Sequence, residues 1–587
     1  MGEIVLVHLN KKLTLCEHLS DSDDGKSSLV RRVKKTLKIP SKSIFLKTNI
    51  KISSYDQLIE FNLKCSTISN HINLNDIWEL LSPTYQTITA EEIGGIYFGK
   101  ESTLTHIAAL MLSIDNDTTY FSYKKNKIQL TSAQDLKSIL ENQYQSQQKK
   151  QTEQKILDFI ENEEIEYPLN ESESEILNHI RNFATQGREY PRSGYVVSLF
   201  NKNNPIKETQ LQKQLFQKLV KSGSLTDDYP LEVAKSKIPK KFNKLTLTEV
   251  ENLNPAYTKH TLDLSNIETY TIDDANTKDK DDAFSLDENT LWIHITDLTN
   301  IVKINSALDK EAFNRTSSLY MPDGIIPMLP RGVSEQIGSL NKNELRQCIS
   351  LKLTTHKNGE IINTSFHRTL IKSDKSISYK EAESILEDKT HSLHKVFTKI
   401  QEITKLGRKK RHDSGAFELL NRKDMKIRSS ISGEVFIEVL ERDSLSNLLI
   451  SELMITYNCK VAEFLKSHKI PASYKIQKSP DFNELDKIPD SILENFKVGR
   501  YLRPALYSRS PGWHFGLGVN AYTQASSPLR RYSDLCIQRQ LIQFIDNGNH
   551  VYSEDEISSI CHSVEAQKKK LSLIEKSRTR YWFLKYL

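Results

Sequence analysis

The chain has 587 residues, enough at roughly 100–200 residues per domain for three to five domains. Lys plus Arg number 81 against 75 Asp plus Glu, a formal net charge of +6; 27% of residues are charged and 37% hydrophobic. That composition excludes a disordered chain and a membrane protein, and permits a polyanionic partner without demanding one. The longest apolar stretch, around Ile107 to Ile114, is too short to span a bilayer. Met1-Gly-Glu-Ile-Val opens on a strand-like alternation with no basic-then-apolar leader, which argues against secretion. Six scattered cysteines (Cys16, Cys65, Cys348, Cys459, Cys536, Cys561) form no CxxC or Cys/His pattern, which excludes a zinc finger or disulfide framework and fits a reducing compartment.

In chain order, residues 1–65 read as short strands, with hairpin signals at Asn10-Lys11-Lys12 and renewed alternation over Ser43 to Ile52. A small β-barrel and a two-layer β module fit equally. Residues 66–145 carry helical signals at Asn75 to Leu81, after the capping box Thr89-Ala-Glu-Glu92, and at Leu104 to Ile114. A hairpin pattern around Lys124-Lys125-Asn126 follows, giving the outline of a winged helix or of a helical spacer with a hairpin. The third helix is too apolar to present a DNA-reading face. Residues 146–245 are helical and polar: Gln143 to Gln154 is a solvated linker or exposed helix, Ser172-x-x-Glu175 caps a helix over Glu175 to Phe183, and Lys207 to Val220 is another. Residues 246–587 alternate strand and helix signals and form one large mixed α/β domain.

The chemistry lies in that last region. Glu268 to Ile272 is a β-like run leading into Asp273-Asp274-Ala-Asn-Thr-Lys-Asp279-Lys-Asp281-Asp282. The strands Ala283 to Leu286 and Leu291 to Ile295 then turn about Glu288-Asn289. Five aspartates within ten residues repel one another unless solvated or relieved by a hard cation such as Mg²⁺. No register gives a calcium-loop pattern, so a solvated turn and a metal site are the two readings left by the residues alone. Downstream, Ser527 and Pro528 read as the cap and first residue of a helix whose apolar stripe is Leu529, Tyr532, Leu535 and Cys536. Arg530 and Arg531 then fall in its first turn, where phosphate is favoured.

These segments together resemble the catalytic domain of the ribonuclease II / ribonuclease R (RNB) exoribonuclease family. Thr271-Ile-Asp273, then Asp279-Lys-Asp281-Asp282-Ala283, is similar to its T-I-D and D-x-D-D-A signature. His294-Ile-Thr-Asp297-Leu, Ser318-Leu-Tyr320-Met-Pro, Ser339-Leu-Asn341 and Glu452-Leu-Met454 follow in the family's order. Ser527-Pro-Leu-Arg530-Arg531-Tyr532-Ser-Asp534-Leu535 is similar to its closing motif. Departures are Gln538-Arg539 in place of His-Arg and Tyr474-Lys-Ile-Gln477 in place of Tyr-Arg-x-His.

The resemblance implies a channel leading to the active site and processive 3′-to-5′ hydrolysis of single-stranded RNA to 5′-nucleoside monophosphates. It implies Mg²⁺, with Mn²⁺ as the alternative, held by Asp273, Asp279, Asp281 and Asp282, which with Arg530 form the catalytic set. Asp274 and Asp287 match no family position and read as solvated. The resemblance gives RNA-binding roles to Tyr320 on the 3′-terminal base, to Phe417 as an aromatic clamp further along the strand, and to Glu575 near the terminal nucleotide. Asp534 is expected to hold an arginine in place. The competing reading is a catalytically silent RNA-binding relative acting as an adaptor in RNA decay. The chain is expected to lack a C-terminal OB-type barrel and to sit nearest the cyanobacterial and plastid branch. That suggests the plastid stroma for a plastid-encoded gene and bacterial cytoplasm otherwise. No membrane partner is expected, and protein partners are undefined.

Overall fold

A computed structural model describes residues 2–9, 12–33, 35–124, 127–201, 206–236, 238–253, 261–419, 423–430, 432–480 and 498–587. The expected turns at residues 10–11 and 125–126 lie outside these. The chain divides into two compact units, one of residues 1–181 and 194–224, the other of residues 182–193 and 225–587.

The first unit begins with a five-stranded antiparallel sheet in the order Lys35–Pro40, Ser27–Arg32, Lys12–Asp21, Gly2–Leu9, Ile44–Ile52. Period-two alternation gives it two apolar faces. Ile4, Leu6, Leu13, Leu15, Leu46 and Ile52 pack with the helices that follow. Val5, Val7, Cys16, Val30 and Ile39 pack with one another on the other face. The edge strands Lys35–Pro40 and Ile44–Ile52 do not pair among the described residues, so the sheet stays open. The helices Tyr55–Ser69, Leu74–Leu81, Ala90–Phe98 and Leu104–Asp115 come next, with a three-stranded sheet of Thr87–Ile88, Lys127–Leu130 and Phe121–Lys124. Leu104–Asp115 buries Ile107 through Met111 and Ile114, so its polar surface is too small to read a groove. The glutamine-rich stretch belongs to a 30-residue helix, Ala133–Asn162, in which Leu136, Glu153, Ile156 and Ile160 are the buried residues. The next helix starts at Glu171, earlier than the Ser172 pattern suggests. Asn170 accepts from the Glu173 N–H at 2.9 Å and Glu173 accepts from the Asn170 N–H at 2.9 Å, a reciprocal cap two residues upstream.

The second unit is mixed α/β, built on a seven-stranded sheet in the order Lys375–Ser378, Thr269–Asp273, Asp282–Asp287, Thr290–Thr296, Leu345–Thr355, Ile361–Lys372, Leu262–Asp263. The interior pairs are antiparallel and both outermost pairs are parallel. Its apolar face buries Ile272, Phe284, Ile293, Ile295, Ile349 and Leu351. Against them pack Phe397 and Ile400 of His394–Asp413, and Leu449, Leu453 and Tyr457 of Leu445–Ser467. The tight turn at Glu288, with φ of 48°, joins Asp282–Asp287 to Thr290–Thr296 and fixes their register, Asp282 opposite Ile295. No described helix is long and apolar enough to cross a membrane.

His294 sits in this sheet, fully buried, with its ring nitrogens on the Ser285 and Ser350 hydroxyls at 2.9 and 2.6 Å. Burial pushes its pKa down to about 3, so the folded protein keeps the ring neutral where the unfolded chain protonates it. The stabilisation is complete above the unfolded value of about 6.5 and is lost as pH falls toward 3. Thermal midpoints should therefore drop between pH 7 and 4, more steeply in the wild type than in His294→Asn. Parallel curves would exclude the imidazole as the acid-sensitive group.

Candidate active site

The strand Thr269–Asp273 carries Asp273 at its end, and the strand Asp282–Asp287 begins with Asp282, so the sheet fixes both ends of the acidic loop. Backbone contacts fix its middle. Leu340 N–H donates to the Lys280 carbonyl at 3.1 Å, Ser339 Oγ to the Lys278 carbonyl at 2.7 Å, and Thr296 N–H to the Asp281 carbonyl at 2.9 Å. A solvated turn needs no such ties.

The arginine turn closes on this loop from the far end of the domain. The Leu529 N–H reaches Asp281 Oδ1 at 2.9 Å and the Arg530 Nε reaches Asp281 Oδ2 at 2.9 Å. Arg530 Nη2 also donates to Ser527 Oγ at 2.9 Å. Here the structure corrects the helix expected from Ser527. The helix is Tyr532–Asn547, and Arg531 precedes it in extended conformation, bridged to Ser317. Residues 527–530 form a turn instead, because the Asp534 carboxylate takes the Ser527 N–H at 3.0 Å and Arg531 Nη2 at 2.7 Å. Asp534 therefore does hold an arginine, but it is Arg531. The Ser318 N–H donates to the Arg530 carbonyl at 3.0 Å, which laces the turn to the strand Leu319–Met321, and Tyr320 of that strand donates to Asp279 Oδ2 at 2.8 Å.

Charge is concentrated and poorly solvated. Asp273 is pushed up to about 7, by burial first and by the Asp281 and Asp279 charges, against the pull of Lys280 and Arg530. Asp281, 3% exposed, is pushed up to about 6 by burial, with Arg530 and the Leu529 N–H opposing. Asp282 is also raised well above the ordinary carboxylate range, by burial and by repulsion from Asp273 and Asp281. Tyr379 feels the Asp282, Asp273 and Asp274 charges, which add to burial in raising its phenol. The sequence gives no warning of Tyr379. It arrives because Ser378, the residue before it, pairs with Asp273 across the parallel strands.

Among the described residues no three carboxylate, imidazole or thiol side chains converge as a protein-only metal cage. The donor set fits a hard cation all the same. Asp281 and Asp279 are engaged by Arg530 and Tyr320, whereas the pKa of Asp273 and of Asp282 is shifted by burial and charge with no hydrogen bond among the causes. Two free, mutually repelling carboxylates suit Mg²⁺, which commonly takes one or two carboxylates, waters and substrate phosphate.

Beside Asp279 and Tyr320 opens a groove of about 670 Å³. Glu575, from the helix Glu554–Tyr586, lies in it, its carboxyl pushed up by burial. Asp274, expected to be solvated, is ion-paired to Lys426 on the ribbon Lys423–Ser429 and Val435–Glu441. Asp287 is exposed. Phe417 does not line the groove; it stacks on Phe515 with centroids 5.5 Å apart and planes at 19°. The structure thus gathers Asp273, Asp279, Asp281, Asp282, Tyr320 and Arg530, sets Glu575 alongside, and puts Phe417 in a separate aromatic pair. Neither departure from the motifs touches the aspartates. Gln538 donates to the Thr296 carbonyl at 2.8 Å, and Gln477 accepts from the Gly516 N–H at 2.8 Å.

Residues 261–547 match the RNB domain family. An uncharacterized ribonuclease of Synechocystis is 25% identical over 88% of this chain and 78% of its own length. Ribonuclease R of Mycoplasmopsis pulmonis is 29% identical over 51% of this chain and 47% of its own, so the chain spans about half of that relative. Among solved structures, Mycoplasma genitalium RNase R in complex with ribose-methylated single-stranded RNA aligns with a TM-score of 0.55. It is 24% identical, covering 61% of this chain and 64% of that one, a likeness of fold.

Proposed function

We propose, from the premise that this chain belongs to the RNB domain family through residues 261–547, that it is a 3′-to-5′ hydrolytic exoribonuclease acting on single-stranded RNA and releasing 5′-nucleoside monophosphates. The observation that carries the reading is the meeting of Arg530 with buried Asp281 and its half-buried neighbours Asp273 and Asp282. A guanidinium tied to Asp281 stands beside two carboxylates, Asp273 and Asp282, that accept no hydrogen bond among the described residues and are raised by burial and mutual charge. The names of the relatives, ribonucleases in Synechocystis and Mycoplasmopsis, support the same reaction class.

In this reading Asp273 and Asp282 hold divalent cations, with Asp279 and Asp281 completing the set as RNA enters. Bound there, Mg²⁺ supplies an activated water and charge neutralisation at the scissile phosphate. Arg530, fixed through Nε and Nη2, turns its remaining edge to that phosphate and offers the two-pronged donation that lysine lacks. Tyr320 stacks on the terminal base while its hydroxyl steadies Asp279. The Phe417–Phe515 pair gives a stacking platform further along the strand, and Glu575 accepts from the terminal ribose. Stacking tolerates every base, as an exonuclease requires.

A time course on 5′-labelled single-stranded RNA with Mg²⁺, with and without chelator, tests this. Progressive shortening of the labelled strand that stops with chelator is expected. RNA binding with no shortening in any divalent cation would instead establish the silent adaptor.

Tyr320→Ala provides a finer test. Loss of one base–aromatic stack is worth roughly 1–3 kcal/mol. The variant should still cleave, but with a longer final product and weaker hold on the terminal nucleotide. Unchanged product length would make Tyr320 only a prop for Asp279.

A further inference from the structure

The acidic loop has one position that its signature leaves open, the x of D-x-D-D-A, and in this chain it holds Lys280. The backbone there is pinned on both sides. The Lys280 N–H donates to Ser339 Oγ at 3.1 Å, and its carbonyl accepts from the Leu340 N–H at 3.1 Å. From that base the side chain reaches the strand Lys375–Ser378, where Nζ donates to Ser376 Oγ. Ser376 pairs with Thr271 in the parallel ladder and takes the Thr271 hydroxyl at 3.2 Å. Residues two apart on a strand share a face, so Asp273 stands on the same face as Thr271 and Ser376. The loop thus carries an ammonium to the Asp273 side of the cluster, and a hydroxyl anchors it there.

The charge so placed is not cancelled. Among the described residues no carboxylate lies within ion-pair distance of Lys280. The other cations near the loop are engaged or exposed: Arg530 is on Asp281, Arg531 on Asp534 and Lys426 on Asp274, and Lys278 is exposed. Of the charges acting on Asp273 that of Lys280 is the strongest, whereas the leading cations on Asp282 are Arg530 and Arg531. Lys280 therefore distinguishes the two carboxylates that no hydrogen bond engages. A divalent cation brought to Asp273 meets this ammonium, and the two repel. An RNA phosphate reverses the balance, because it attracts the ammonium and adds oxygen ligands for the cation. A lysine serving only to hold Ser376 would not need its charge, and an uncharged donor would do the same.

We infer that Lys280 is a resident counter-ion of Asp273 that competes with a divalent cation for this carboxylate, so that RNA phosphate, by engaging the ammonium, couples strand binding to filling of the cation site. The inference rests on the exoribonuclease reading above for both the cation and the strand. Lys280 touches no reacting atom in this account. It is a positioning residue, and it sets the cation concentration at which the site fills.

The test is titration of the full chain with Mn²⁺, read by the electron paramagnetic resonance of the free ion, with and without a 2′-O-methylated oligoribonucleotide. RNA should tighten Mn²⁺ binding by the wild type. Lys280→Gln keeps a donor for Ser376 and loses the charge. It should bind Mn²⁺ on the order of tenfold more tightly than the wild type without RNA, and gain less when RNA is added. Lys280→Arg, which keeps the charge, should behave as the wild type does, and so should Lys278→Gln, which removes an exposed charge from the same loop. Wild-type Mn²⁺ binding that ignores RNA would overturn the coupling whether or not the variants fold. Equal Mn²⁺ affinity in Lys280→Gln and the wild type, or the same gain in Lys278→Gln, would overturn the role of Lys280 and leave the exoribonuclease reading in place. A wild type that takes up no Mn²⁺ with or without RNA would overturn both. The expected pattern in a protein that never shortens RNA would sustain the role of Lys280 and overturn the exoribonuclease reading.

Discussion

Asp282→Asn is expected to lower single-turnover cleavage of RNA by on the order of 10²-fold or more while leaving RNA affinity in place. The substitution keeps shape and removes one negative charge. Asp282 is held up by burial and by its neighbours Asp273 and Asp281, so an amide there relieves repulsion in the empty protein. The variant should melt at the wild-type temperature or above it. A structural turn would welcome that change, whereas a cation site loses both a ligand and part of the field that fixes the cation. Opposite movements of stability and turnover are therefore the signature. Single-turnover rates, RNA affinity and a melting curve on one preparation read all three. Near-normal cleavage by the folded variant would remove Asp282 from the active site.

The parts of this site that were legible in the sequence are those fixed by neighbours along the chain. Period-two alternation on both sides of the acidic loop, with Glu288-Asn289 between the later strands, was enough to expect the strands ending at Asp273 and beginning at Asp282. What escaped was set by distant partners. Asp274 reads as one more solvated acid until Lys426 of the ribbon is brought to it across 152 positions. Tyr379 begins a capped helix and looks ordinary. Parallel pairing of Asp273 with Ser378 carries it to the cluster.

The turn at Ser527 shows how a sound local signal is overruled. Serine followed by proline starts many helices, but here the Asp534 carboxylate occupies the Ser527 N–H and Arg531 bridges to Ser317 in extended form. The helix is delayed to Tyr532, and the backbone before it is free to turn the Leu529 N–H and the Arg530 side chain onto Asp281.

That geometry makes Arg530→Lys the more exacting substitution. Lysine keeps the positive charge that Asp281 needs, and Asp281 at 3% exposure would be left as a buried, unpaired carboxylate by alanine. What lysine cannot do is span Asp281 Oδ2 and Ser527 Oγ at 2.9 Å each and still present a donor to a third oxygen, because one ammonium replaces a planar fork. If Arg530 served only to neutralise Asp281, Arg530→Lys would fold and cleave like the wild type. If its outer edge meets the charge that builds on the scissile phosphate, turnover should fall on the order of 10²–10³-fold with KM for RNA little changed, since the loss is confined to the transition state. Arg530→Ala should add a stability loss that Arg530→Lys lacks. Steady-state kinetics and melting curves on the two variants separate the roles. A rise in KM with unchanged kcat would make Arg530 a binder of the strand and remove it from the chemical step.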